Sequence, residues 1–538
     1  MNSRIWASLD DFLPPSATGP RLGRNMANHY FLSALFQYGT FDEYHFFLFN
    51  AAHRQLFWDT QGPMLDALKV REKVKVFDRI DLPEQLSNHD YTVFHQSDHI
   101  NYFSAVCRLR DRFGARVPVT AFIHSVSYQE YMPRYLEMCA AGPGPSDALI
   151  CSSKCGRIVL EKVFARLSDV FPGIEARMQM PVVPLGIDEP ACLPDRGEAR
   201  GRLGIAADEP VALSFGRFSE LDKMDLFPLM QAFAEVVKTG VRCTLSVAGS
   251  VHSPNYIKML ELWIDALKLQ GRVRIIKDPD DGVRSDLFAA ADFFVSVSDN
   301  PQETFGLTVL EALHAGLPVA VSDFNGYRET VTDDVGFRIP TKWHPMPDLD
   351  MLQPLMDERT FHLVAAQSIC VDVGYTAAVL HLLFTDKSLR RRMSAAAKMR
   401  FAACYAHRGI IAKLEATWAS LKESVVPGEP QSTDSMSLCT FETFSHYTTQ
   451  ALSDDAQLQT TPLGLDILSK RGTYPMLPNM SAFIDNRIVV AVMERARDGR
   501  ILRELFTDLS VTPHRLRYTV LWMLKHDLLA ETTDAGGA

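Results

Sequence analysis

Glu303 and Glu311 are spaced as E-x7-E, with Phe305, Gly306, Leu307 and Thr308 between them. The apolar periodicity that begins at Leu307 predicts a helix, which puts Glu303 in the loop before it and Glu311 inside it. A helix amino end presents free N–H groups and a partial positive charge, both suited to a diphosphate. Gly306 would let the backbone approach such a ligand. Two carboxylates at different depths can then accept hydrogen bonds from separate hydroxyl groups, one on a sugar and one on a ribose. The run continues as A-x-x-A-G-x-P, followed by Asn325–Gly326.

A second constellation, FGRFSELDK at 215–223, puts Gly216, Arg217 and Lys223 just beyond a predicted strand. Open parallel sheets bind ligands at the carboxyl ends of their strands. Arginine grips a phosphate in a fork and lysine acts as a point charge, so the pair would stabilise a leaving diphosphate. Two weaker signals lie upstream. Gly19 and Gly23 punctuate the loop after the first strand, where backbone N–H groups would face the same crevice. His124 ends the predicted strand VTAFIH and is placed to meet sugar hydroxyls or a reacting centre. His95, Asp98 and His99 have metal-like spacing, but no further ligand is in view, so no metal site is expected.

The elements needed to position these residues alternate strand and helix twice over. The first series has strands expected at 5–9, 44–49, 91–95, 119–124 and 148–151. The second has them at 211–215, 243–248, 273–276, 293–297 and 318–322. This alternation predicts an α/β chain of two doubly wound Rossmann-like domains with a cleft between them. The expected division is an acceptor-side domain at 1–190 and a donor-side domain at 191–423. A polar linker or irregular excursion follows at 424–480, then a small helical, winged-helix-like module at 481–538.

Composition bounds the function classes. The chain has 538 residues, 47% apolar and 22% charged, with a net charge of -10. That balance excludes nonspecific nucleic-acid binding as the main role. The terminal module has eight basic against eight acidic residues over 481–538, which lacks the footprint of a DNA reader and suits a protein contact or dimerisation. Nine cysteines show no framework spacing, which fits free thiols in a reducing compartment. No signal core or membrane-spanning run is seen, so a cytoplasmic location is expected, with docking on a membrane surface left open.

Taken together, FGRFSELDK, VRIIKDP at 273–279, AAADFFVSVSDNPQETFGLTVLEALHAGLPVAVSD and NGYRETV resemble a retaining glycosyltransferase of the GT-B fold, specifically glycosyltransferase family 4. PLGID at 184–188 and LFTDKSLRRRMSAAAKMRF resemble the family's interdomain and closing segments. The resemblance covers residues 1–422 and is strongest over 211–340. It implies transfer of a sugar from a nucleotide-diphosphate sugar to a hydroxyl on a glycan, lipid, small molecule or protein, with the anomeric configuration retained. It implies neither cofactor nor metal. Carried over by position, Glu303 meets the donor sugar and Glu311 the ribose. Arg217, Lys223 and the amides of 305–308 hold the diphosphate, His124 lies near the donor sugar, and Lys277–Asp278 is where the base is read. Lys223 stands one residue further from Arg217 than is usual in the family. The other reading is a nonenzymatic sugar-nucleotide-binding protein that acts through its C-terminal module.

Overall fold

The computed structural model describes residues 3–13, 23–140, 142–187, 193–221, 223–425, 436, 438–474, 476–477, 480–509 and 511–532. Two compact units divide it. The larger holds most of residues 1–432. The smaller holds the C-terminal elements together with Phe47–Trp58 and Val76–Gln85.

The amino-terminal sheet is built from β1 (Ile5–Ser8), β2 (Glu43–Leu48), β3 (Val74–Asp78), β4 (Val93–Gln96), β5 (Val119–Phe122) and β6 (Ala148–Ile150), in the order β3-β2-β1-β4-β5-β6. Its helices are α1 (Gly23–Tyr38), α2 (Ala51–Leu68), α3 (Leu82–Asn88), α4 (Phe103–Arg112), α5 (Met132–Ala140) and α6 (Lys154–Val170). After α7 (Arg196–Leu203), a second sheet uses β7 (Val211–Phe215), β8 (Thr244–Gly249), β9 (Val273–Lys277), β10 (Phe293–Ser296), β11 (Val319–Ser322) and β12 (Gly336–Ile339), in the order β12-β11-β10-β7-β8-β9. All the registered pairs of this second sheet are parallel. It is interleaved with α8 (Phe227–Lys238), α9 (Pro254–Ala266), α10 (Asp281–Ala290), α11 (Leu307–His314) and α12 (Tyr327–Thr330).

The two doubly wound halves match the sequence expectation. The second sheet is apolar on both faces because helices cover both. Ala212, Leu245, Phe293 and Val295 face one core, and Leu213, Phe294, Val319 and Val321 face the other. Sequence reading missed β3 and β12, both edge strands. Lys75 interrupts the first and Arg338 the second, so neither shows a clean apolar run. It also extended β5 to His124, whereas the strand ends at Phe122 and His124 lies in the following loop.

Beyond the second sheet come β13 (Thr341–Lys342), α13 (Pro347–Asp350), α14 (Glu358–Gln367), β14 (Cys370–Val371), α15 (Val373–Thr385), α16 (Lys387–Cys404) and α17 (His407–Glu423). The last of these returns to the amino-terminal half. Trp418 is fully buried there, donates Nε1–H to Thr120 Oγ1 at 3.2 Å and lies 5.5 Å from the His95 ring.

The smaller unit's C-terminal part contains α18 (Thr440–Thr443), β15 (Gln457–Thr460), α19 (Pro462–Leu468), α20 (Asn486–Arg495), β16 (Arg500–Ile501), α21 (Leu502–Asp508), α22 (Pro513–Lys525) and β17 (Leu529–Glu531). The strands form an antiparallel sheet in the order β16-β15-β17 around a core that includes Leu458, Val492, Leu516 and Met523. Its first strand lies inside the stretch expected to be linker. Gln457, Gln459 and Thr460 hide it, since only Leu458 marks it as apolar. No helix among the described residues is long and apolar enough to cross a membrane.

The turn after β10 is polar and buried. Asp299 is 3% exposed and accepts the Asp225 N–H at 3.3 Å. Burial, reinforced by the nearby Asp225 carboxylate, pushes the Asp299 carboxyl up to about 8. The folded protein therefore keeps a proton that the unfolded chain releases near its ordinary pKa of about 4. Stability should fall as pH rises from about 4 to about 8, by on the order of 1 kcal/mol per pH unit. Asp299→Asn should flatten that slope in melting temperatures measured between about pH 5 and about pH 8. A slope that persists in the variant excludes Asp299 as its source.

Candidate active site

A cleft of about 1160 Å3 opens at the carboxyl ends of both sheets. His99 follows β4, His124 follows β5, Arg217 follows β7, Ser250 follows β8, Asp278 follows β9 and Glu303 follows β10, and all of them line it. Parallel strands that run the same way bring their following loops to one edge, which is why residues so distant in sequence meet.

The Arg217 loop is fixed by continued pairing with the end of β8. Gly216 N–H donates to Ala248 O at 2.9 Å and Phe218 N–H to Ser250 O at 2.8 Å. Gly249, at φ 155°, makes this possible, because a Cβ there would lie 1.7 Å from Gly216 O. Arg217 Nη2 donates to Gln302 Oε1 at 3.3 Å, and Gln302 Nε2 donates to Tyr128 OH at 3.0 Å.

Lys223 does not stand free in the cleft. Its Nζ lies 2.6 Å from Glu303 Oε2, and both side chains are largely buried. Burial alone would raise the Glu303 carboxyl. The Lys223 ammonium, helped by the Phe305 N–H, outweighs it and holds the carboxyl below its ordinary value. Burial alone would lower Lys223, and Glu303 reverses that too. Both groups are therefore charged at neutral pH.

The loop bearing Glu303 is held on its other side as well. Thr304 Oγ1 donates to His124 O at 2.6 Å, and Ser153 Oγ donates to Thr304 O at 2.9 Å. Glu329 accepts the N–H groups of Lys154 and Cys155, each at 2.8 Å. Gly306 then caps α11 at φ 92°, where a Cβ would lie 2.1 Å from the buried Tyr327 ring. The local need for glycine is thus conformational and steric, in addition to any approach by a ligand. Phe305, Gly306, Leu307 and Thr308 all line the cleft.

Glu311 faces the same cleft from inside α11 and is paired with Arg284 on α10. The Glu311 carboxylate holds the Arg284 guanidinium above its ordinary value, although burial alone would lower it. Arg284 also sits 5.1 Å from the Phe215 ring centre. Glu311 Oε2 and Thr308 Oγ1 are buried and make no hydrogen bond among the described residues. Two acceptor atoms in the first turns of one helix are thereby left for hydroxyl groups of a ligand.

His124 Nε2 lies 2.8 Å from Ser97 O and 3.2 Å from Asn28 Oδ1. Both partners accept, so Nε2 carries the proton and Nδ1 keeps its lone pair. Burial pushes the ring down to about 4 despite the bond to Ser97, which makes it neutral at pH 7.

Gly23 is the first residue of α1 and lines the cleft, whereas Gly19 lies outside the described residues. Asp278 lines the cleft and accepts the Val251 N–H at 2.9 Å. Its neighbour Lys277 does not. It is exposed and paired with Glu261 at 3.2 Å, because alternation along β9 turns it to the other side. His95 and His99 are buried, and neither belongs to a metal-like cluster among the described residues. His95 Nδ1 bonds Thr120 Oγ1 at 2.8 Å and His99 Nε2 bonds Tyr135 OH at 3.1 Å.

Sequence reading missed Arg284, Gln302 and Tyr128. Arg284 carried a usable signal. Asp280 accepts the Val283 N–H as a helix cap, so α10 starts at Asp281 and carries Arg284 in its first turn.

Residues 195–346 match the sequence model of the family described as glycosyl transferases group 1. A D-inositol 3-phosphate glycosyltransferase of Xylanimonas cellulosilytica is 29% identical over 226 residues, 41% of this chain and 51% of that protein. An alpha-monoglucosyldiacylglycerol synthase of Streptococcus pneumoniae is 29% identical over 197 residues, 36% of this chain and 40% of that one. The chain thus spans about half the length of these curated relatives, or less. Among solved structures, Anabaena Alr3699/HepE in complex with UDP and glucose superposes with a TM-score of 0.52 at 17% identity, covering 78% of this chain and all of that one. A glycosyltransferase from Rickettsia africae gives 0.51 at 12% identity, covering 79% and 100%. The chain has the two-domain GT-B fold, and its residues 195–346 are similar to the group 1 glycosyl transferases.

Proposed function

We propose that this protein transfers a glycosyl group from a nucleoside-diphosphate sugar to a hydroxyl, with retention at the anomeric carbon. The observation that carries the reading is the convergence, in one cleft, of Arg217, the Lys223–Glu303 pair, the amino end of α11 and Glu311. The pyrophosphate would lie against the free N–H groups at Leu307 and Thr308 and against Arg217. Glu311, oriented by Arg284, would take the ribose, and Glu303 the donor sugar.

In the reaction the bond from the anomeric carbon to the diphosphate oxygen breaks, and its electron pair leaves with the diphosphate. The acceptor oxygen bonds to the same carbon on the same face, and its proton passes to the departing phosphate oxygen. Negative charge grows on the leaving group, where Arg217 and Lys223 supply positive charge without a metal. His124, neutral and with Nδ1 unprotonated, would accept a sugar hydroxyl.

Anabaena HepE was solved with UDP, which makes uridine diphosphate the first nucleotide to test. UDP-, GDP- and ADP-glucose should separate in thermal stabilisation, with one raising the melting temperature most. Turnover with that donor should survive EDTA. If none of the three stabilises the protein, the donor reading fails. Binding without transfer or hydrolysis would instead assign a nonenzymatic nucleotide-sugar-binding role.

Arg217→Ala should lower kcat by about 100-fold and change donor affinity less, since its charge matters most as the diphosphate departs. Glu311→Gln should raise the donor KM by about tenfold, with a smaller effect on kcat. Steady-state kinetics with the stabilising donor checks both, and unchanged constants in either variant remove that residue from the site.

A further inference from the structure

A second cavity, of about 590 Å3, adjoins the cleft. Its apolar walls are Met132 and Leu136 on α5, Leu167 and Phe171 at the end of α6, and Pro354 and Met356 from the segment between α13 and α14. That segment leaves large apolar side chains in water, with Met351 70% and Leu355 81% exposed. Apolar surface of this kind, beside a cavity of ligand size, marks a binding surface.

The two cavities share part of a wall. Glu130 lines both, and its N–H donates to Glu358 Oε1 at 2.9 Å. Glu358 lines the second cavity and its neighbour Arg359 the first. The boundary between them is therefore charged, and the space on the far side of it is apolar. Glu358 Oε2 at this boundary is buried and makes no hydrogen bond among the described residues. A single molecule that satisfies both parts has neutral hydroxyls at one end and a hydrocarbon at the other. An anionic head would meet two carboxylates at the neck.

We propose that the acceptor is an amphiphile, with a neutral polyhydroxyl head entering the cleft past Glu130 and Glu358 and an alkyl chain lying between α5, α6 and the 353–356 segment. This rests on the glycosyl-transfer reading and names the acceptor class for it.

Two probes with one head separate the contribution of the chain: n-octyl β-D-glucoside, kept below its micelle concentration, and methyl β-D-glucoside. By calorimetric titration of the full chain, the octyl compound should bind at least about tenfold more tightly. Phe171→Glu and Met356→Glu change side chains at the surface, so the fold should survive. Each should remove the octyl preference and leave nucleoside-diphosphate binding intact. Equal affinity of the two probes for the unaltered protein overturns the proposal, as does a preference that persists in both variants. An octyl preference without binding of any nucleoside diphosphate supports the groove and overturns the transfer reading instead. With a working donor, transfer to the octyl acceptor no faster than to the methyl one overturns the acceptor role of the groove.

Discussion

Glu303 and Lys223 are both removed from water, and each is tolerable only because the other is there. A buried ion pair is weak support for stability as a whole, but removing one partner leaves an uncompensated charge at a cost of about 3–5 kcal/mol. The pair ties the turn after β10 to the loop after β7, across the line where those two strands are neighbours. Through it, the turn carrying Gln302, Thr304 and Gly306 is held in register with the loop carrying Arg217. Thr304 extends the tie to His124 and Ser153, which follow β5 and β6 of the first sheet. Gln302, through Tyr128, and Thr304, through His124 and Ser153, thus join the two walls of the cleft on either side of Glu303.

The pairing changes the electrostatic reading of the cleft. With Lys223 paired to Glu303 and Arg217 bonded to Gln302, the positive potential in the cleft comes from two positioned cations and the amino end of α11. At the other end, Arg284 neutralises Glu311 while leaving its second oxygen unpaired. Each carboxylate is held by a cation on a different element, so each is oriented before a ligand arrives. Preorganisation of this kind lowers the ordering cost of binding.

The second Rossmann-like half was largely legible in the sequence because its strands are central, apolar and flanked by cap and turn signals. β7 was bounded correctly from VALSF alone. The edge strands β3 and β12 were not legible, since Lys75 and Arg338 break the apolar pattern that burial would impose, whereas β6 and β9, also at edges, were. The return of α17 to the first sheet was equally hidden, because a buried Trp418 does not say which core it enters. Among site residues, Glu303, Glu311, Arg217 and Lys223 came from motif spacing. Their partners did not. Arg284, Gln302 and Tyr128 meet them only through tertiary contact, which spacing does not encode. Lys277 shows the converse: it adjoins a cleft residue in sequence, yet strand alternation turns it away.

The two ends of the cleft are built from different materials. The proposed donor end rests on strand termini and a helix amino end, positions set by the sheet hydrogen bonding itself. The proposed acceptor end rests on the turn before α5, the end of α6 and a segment between two helices. Loop positions change without disturbing a sheet, so acceptor chemistry can vary while donor chemistry stays fixed. The match to the family model covers 195–346. That stretch holds the residues proposed to meet a diphosphate, and it ends just before the segment that supplies Pro354 and Met356 to the groove. What distinguishes this chain from its relatives is therefore to be sought outside the matched region, where apolar side chains stand in water beside the cleft.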